Sequence, residues 1–128
     1  MSDDYHESTE HMLRAERKRG LLLVDVLPAF ATELQQLLEE KGEPELAAQV
    51  PVLMIFDRCR CGNDFCATFY TQPKPRGSFG SGHRNVVLTP DEGMLILDVV
   101  EQAIACVEVL DRDEIGRKLQ AALPRSDL

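Results

Sequence analysis

The sequence predicts an α+β fold, with N-terminal helices and a C-terminal helix packed on an antiparallel sheet of about four strands. Three observations carry this. Apolar residues recur with helical spacing before residue 51 and after residue 110, and with a period near two between them. The helical and strand patterns are segregated rather than alternating, which argues against a doubly wound α/β arrangement. At 128 residues the chain is long enough for one domain with its own core.

Residues 1–10 are polar, without apolar periodicity, and 11–19 suit a short solvated helix ended by Gly20. Residues 1–20 therefore read as a flexible or weakly helical segment, 21–124 as a single α+β domain and 125–128 as a tail. The first firm helix starts at Pro28, whose fixed φ suits the first helical position. Phe30, Leu34, Leu37 and Leu38 make its apolar face, and Lys41–Gly42 supplies a cationic last turn and a glycine stop. A shorter helix is expected from Pro44 to Val50, halted by Pro51.

The period then changes. "VLMIFD" (52–57) and "FCATFYT" (65–71) read as strands joined by a turn containing Gly62, Asn63 and Asp64. "QPKPRGSFGSGHR" (72–84) is a long polar loop, "NVVLT" a third strand and "PDEG" a turn. "MLILDVVEQAIACVEVL" (94–110) is a hairpin. A two-residue loop at Glu101–Gln102 puts its apolar rows on opposite faces. A three-residue loop, 100–102, pairs Val99 with Ala103, Leu97 with Ala105 and Leu95 with Val107, and is preferred because a one-residue slip inverts a face. Cys106 then shares a face with Met94, Asp98 and Glu108. Asp111 and Glu114 suit the start of a last helix, with Ile115, Leu119 and Leu123 as its buried stripe.

The chain has no Trp and only seven Phe plus Tyr, so aliphatic residues must do most of the packing. No apolar run approaches the roughly 20 residues of a membrane span. The start is acidic first and basic later, the wrong order for a secretory signal. A cytoplasmic protein with reduced thiols is expected. A net charge of −8 disfavours generic nucleic-acid binding, which needs a basic footprint. Charge is uneven, however. Residues 58–84 carry five cations against one carboxylate, a local charge of +4 that leaves −12 elsewhere.

That basic segment also holds three of the four cysteines, in "DRCRCGNDFCATFYT" (57–71). Alternation on a strand points Cys59 and Cys61 the same way, and symmetric pairing about the turn sets Cys59 opposite Cys66. Zinc takes four tetrahedral ligands, mainly thiolate and imidazole. Cys59, Cys61 and Cys66 supply three, and His83 is the expected fourth, with Cys106 as another candidate. Arg58 and Arg60 would offset the thiolate charge. A redox pair is a second reading, with a Cys59–Cys66 bridge the easier geometry. A thiol nucleophile, Cys61 or Cys66, based by His83 is a third. The plainest alternative is a rigid hairpin tip with thiols packed beneath it as small hydrophobes.

Other features are less specific. The glycines of "PRGSFGSGHR" lack the strand–loop–helix context of a phosphate cradle. Phe79 with the cations Arg58, Arg60, Lys74, Arg76 and Arg84 suits a protein contact. No pair of carboxylates is placed for acid–base work.

"CRCGNDFCATFYT", "GHRNVVL" and "GMLILDVVEQAIACVEVLDRDEI" resemble a set of small bacterial proteins of unassigned activity. Those share a Cys-x-Cys-Gly-x-Asp-Phe-Cys hairpin followed by a Leu-Asp-Val-Val and Val-Glu-Val-Leu hairpin. The last hairpin is also similar to that of a broader group of small bacterial domains. The resemblance spans residues 44 to 118. It implies a bacterial origin and carries no catalytic or binding residue. The functional expectation is a non-enzymatic binding module for another protein, a basic one given the acidic remainder, of the inhibitor or immunity type. The alternative is a zinc-binding or thiol-sensing protein, with zinc the one cofactor the pattern calls for.

Overall fold

The computed structural model describes residues 21–75 and 77–124. The helix expected at 11–19, the 125–128 tail and Arg76 lie outside the described residues. The fold is α+β. β1 (Leu21–Leu22) leads into one helical turn, α1 (Leu23–Val26), then α2 (Pro28–Glu40), α3 (Pro44–Ala47) and a 3₁₀ turn (Val50–Val52). Six strands follow: β2 (Met54–Ile55), β3 (Asp57–Arg58), β4 (Phe69–Tyr70), β5 (His83–Leu88), β6 (Met94–Val100) and β7 (Ala103–Leu110). Helix α4 (Asp113–Ala122) comes last. No helix among the described residues is long and apolar enough to cross a membrane.

The main sheet has five strands rather than about four, in the order β3-β4-β7-β6-β5, with every neighbouring pair antiparallel. The expected strand 52–57 divides. Met54–Ile55 pairs with Leu21–Leu22 in a separate two-stranded ribbon, and Asp57–Arg58 joins the main sheet. The helix expected to reach Val50 is shorter, because after Ala47 the chain tightens into the 3₁₀ turn that contains Pro51.

One face of the sheet makes the core. Phe69, Val107, Leu97 and Val86 form a continuous cross-strand row, followed by Val109, Leu95 and Leu88. Against it pack Leu23, Phe30, Leu34 and Leu38 from α1 and α2, and Ile115 and Leu119 from α4. Each such side chain contributes about 1.5–3 kcal/mol on burial. The Phe30 and Phe69 rings meet edge to face, 6.2 Å between centroids. Buried Arg112 ties the start of α4 to α2. Its Nη1 and Nη2 donate to the Glu33 carboxylate at 3.0 and 2.8 Å, and its Nε to Glu114 Oε2 at 2.8 Å. Asp111 is therefore not the helix cap. It has φ +62, and Arg112 holds the cap position while Glu114 serves the guanidinium.

The β6–β7 register corrects the expected one. The connection is a two-residue turn, Glu101–Gln102, with φ of +50 and +69, the left-handed pair that matches strand twist. Val100 pairs with Ala103 and Val99 with Ile104, then Asp98 pairs with Cys106. Ala105 is surplus, a β-bulge. It absorbs the parity mismatch that had argued against this turn. Leu95, Leu97, Val107 and Val109 all face the core, as the apolar rows require, and Cys106 lies opposite Asp98.

Because Ala105 is the surplus residue, deleting it should leave every inner-row pairing intact. The cost expected is about 1 kcal/mol, for the lost bond from the Thr71 N–H to the Ala105 carbonyl. Deleting Ile96, which has no spare neighbour, should abolish cooperative unfolding. Thermal melts of the two deletions check this; equal damage from both would contradict the parity account.

Candidate metal centre

The site begins with strand pairing at the sheet's β3 edge. Asp57 pairs with Tyr70 and Arg58 with Phe69, and the Cys59 N–H donates to the Thr68 carbonyl at 2.8 Å. Cys59 is thus opposite Thr68, not Cys66. Continued outward, the same register sets Cys61 against Cys66. The turn between them uses Gly62 at φ +84 and closes with the Cys66 N–H on the Asn63 carbonyl. Cys66 also forms an isolated bridge with Leu110 of β7. The two-residue offset preserves the face, so the thiols converge: the three sulfurs lie within 4.8 Å of one another. Tetrahedral zinc thiolates, with Zn–S near 2.3 Å, need sulfurs about 3.8 Å apart, so a small inward movement would close the set.

The expected fourth ligand is elsewhere. His83 opens β5, at the opposite edge of the sheet from β3. Its Nε2 lies 2.8 Å from Asp98 Oδ1 and its ring stacks on Phe79, centroids 4.9 Å apart. Asp98 of β6, the strand beside it and three strands from the thiols, has captured it. Cys106 is buried in mid-sheet, and among the described residues only Cys59, Cys61 and Cys66 form the group. Cys61 is exposed while Cys59 and Cys66 are half-buried. Burial, with its thiol neighbours, pushes Cys59 up to about 11. Hydrogen bonding from the Asn63 backbone and from the Cys66 thiol holds Cys61 below the usual thiol range.

A cleft of about 300 Å³ opens beside the sulfurs, walled by residues 56–61 on one side and by Tyr70 and Lys74 on the other. Arg60 Nη2 donates to Asp57 Oδ1 at 3.1 Å, Arg58 Nε donates to the Leu123 carbonyl, and Lys74 Nζ sits over the Tyr70 ring at 5.7 Å. The five described residues of the set expected to contact a partner, Arg58, Arg60, Lys74, Phe79 and Arg84, are not brought together. Arg84 forms a two-pronged pair with Glu43 at 3.0 Å, and Phe79 is half-buried on His83, both at the β5 side, away from Arg58, Arg60 and Lys74.

A carboxylate pair not found in the sequence occupies the same outer face. Asp57, Tyr70, Cys106, Asp98 and Asn85 form one row across all five strands, with Glu108 two positions along β7 from Cys106. Asp98 is only 5% exposed. Burial raises its pKa, but hydrogen bonds from Glu108, His83 and Asn85 outweigh that and hold it below the usual carboxylate range. Asp98 and burial push Glu108 up to about 7, so the pair keeps one proton between them well above the usual carboxylate range. Only the cross-strand register could have revealed the pair, because the two residues are ten apart in sequence.

The chain matches no family model, no curated protein and no solved structure.

The Asp98–Glu108 pair has a definite pH signature. An unfolded Glu108 titrates near 4.5, so between there and about 7 the folded chain holds a proton that the unfolded chain has lost. Stability contributed by this group is therefore fully present below pH 4.5 and lost as pH rises through 7. Asp98 acts in the opposite sense, and its contribution is lost only as pH falls below its ordinary 3.8. Glu108→Gln should flatten the falling limb between 4.5 and 7, read by chemical denaturation across pH. An unchanged slope would contradict proton sharing.

Proposed function

We propose that the protein binds a thiophilic metal ion, zinc, through the thiolates of Cys59, Cys61 and Cys66. The observation that carries this reading is the convergence of three sulfurs within 4.8 Å, produced by backbone pairing. Strand alternation alone would align two thiols. The glycine turn and the Leu110 bridge deliver the third. Thiolate ligands select zinc or monovalent copper over hard cations. Three thiolates on a divalent ion leave a net negative charge, which Arg58 and Lys74 beside the site oppose.

A protein-contact role is the second reading, and one observation favours it. Phe65 and Met94 are each 49% exposed, on either side of the end of β7. Met94 is the cross-strand partner of Leu110, and the Asp111 N–H donates to the Phe65 carbonyl. Leu110, bridged to Cys66 and paired with Met94, links these exposed residues to the metal turn, so a partner could read the state of the turn.

Competition against a chromophoric chelator, with the reduced protein, tests the metal reading. One zinc per chain is expected, with serine at any one of the three cysteines weakening it at least about 100-fold. His83→Ala and Cys106→Ser should leave affinity unchanged. Retention of metal by the triple serine variant, or a loss with His83→Ala as large as with cysteine variants, would overturn it.

A further inference from the structure

We propose that the cleft beside the three cysteines is the binding site for a small thiol bearing a carboxylate, whose sulfur takes the fourth position on the metal. This rests on the metal-binding reading above and names the ligand that completes it.

Three observations and one rule of coordination lead there. Among the described residues no fourth donor joins the three sulfurs, His83 being held by Asp98 of the neighbouring strand at the far edge of the sheet. A tetrahedral ion held by three protein ligands takes its fourth from outside. The cleft lies against the thiols, with Cys59 and Cys61 forming part of its wall. Its volume of about 300 Å³ is at the small end of ligand sites, room for a molecule of amino-acid size.

Its charge selects the ligand class. Arg58, Arg60 and Lys74 line the cleft against one carboxylate, Asp57, which Arg60 already engages. Arg58 spends its Nε on a neutral carbonyl, and Lys74 has no ion-pair partner among the described residues. Two cations thus remain to meet an anion. Phe56 and Tyr70 give the cleft apolar walls suited to a short methylene chain. Burial, chiefly, raises the Tyr70 phenol to about 12, so it meets the ligand uncharged. A sulfur at one end, a short apolar stem and a carboxylate at the other match this order of groups. The ligand's thiol gives its proton to solvent as its sulfur replaces water on the metal, and nothing is oxidised or reduced.

The test uses the full chain loaded with Co²⁺, whose visible bands report its ligands, titrated with 3-mercaptopropionate, 3-mercaptopropionamide and propionate. The two thiols differ in charge and hardly in size. The carboxylate thiol should saturate the band change at a concentration at least about tenfold lower than the amide. That preference should fall to about threefold or less in folded Lys74→Ala, and shrink at roughly 0.5 M salt. Propionate should leave the bands unchanged. Equal affinity for the two thiols, or a preference insensitive to both Lys74→Ala and salt, would overturn the proposal while leaving metal binding intact. Failure of the wild-type chain to take up Co²⁺ would overturn both.

Discussion

The structure depends on the parity of one hairpin. A two-residue turn of left-handed residues at Glu101–Gln102 sets β6 against β7 in a register that would send half of the apolar side chains to the wrong face. One surplus residue, Ala105, restores the alternation. Only then do Leu97 and Val107 meet the helices from one side, while Asp98, Cys106 and Glu108 gather on the other. The bulge is tied to its neighbours: the Ala105 carbonyl accepts from the Thr71 N–H, and the Ile104 carbonyl from Thr71 Oγ1 at 2.7 Å. Those bonds hold the chain after β4, from which the 72–82 connection crosses to β5 at the far edge.

The outer face therefore carries two chemical groupings with different origins. The thiols converge because a short hairpin ends in a glycine turn, a local event. The carboxyl pair exists because two long strands align residues distant in sequence. Tyr70 lies between them in the cross-sheet row, with Cys106 on the Asp98 side. Burial, together with the negative groups beside it, pushes the Cys106 thiol far up, so it is a neutral spacer between the thiolate cluster and the carboxylates. The positive groups are divided likewise. Arg112 and Arg84 are used up in pairs with Glu33 and Glu43, whereas Arg58 and Lys74 stay beside the sulfurs.

Much of this was legible from residues alone. Pro28, Phe30, Leu34, Leu38 and Gly42 mark α2 by rules that act within a few residues, and the helix lies where those rules put it. The clustering of Cys59, Cys61 and Cys66 survived a wrong register, because the error was two residues and a strand's period is two. The turn at Glu101–Gln102 conflicts with the parity of the apolar rows in the sequence, because a bulge leaves no mark in composition. In the sequence His83 ends a loop long enough to reach the thiols. Its actual partner, Asp98, is set by β5–β6 pairing, which sequence proximity does not encode. The split of 52–57 into two sheets is hidden for the same reason: β1, more than thirty residues earlier, supplies the partner for Met54–Ile55.

X-ray absorption at the zinc edge of the reduced, zinc-loaded chain bears most directly on the central claim. Three sulfur scatterers at about 2.3 Å and one lighter atom are expected. Two or fewer sulfurs, or the multiple-scattering pattern of a bound imidazole, would contradict it.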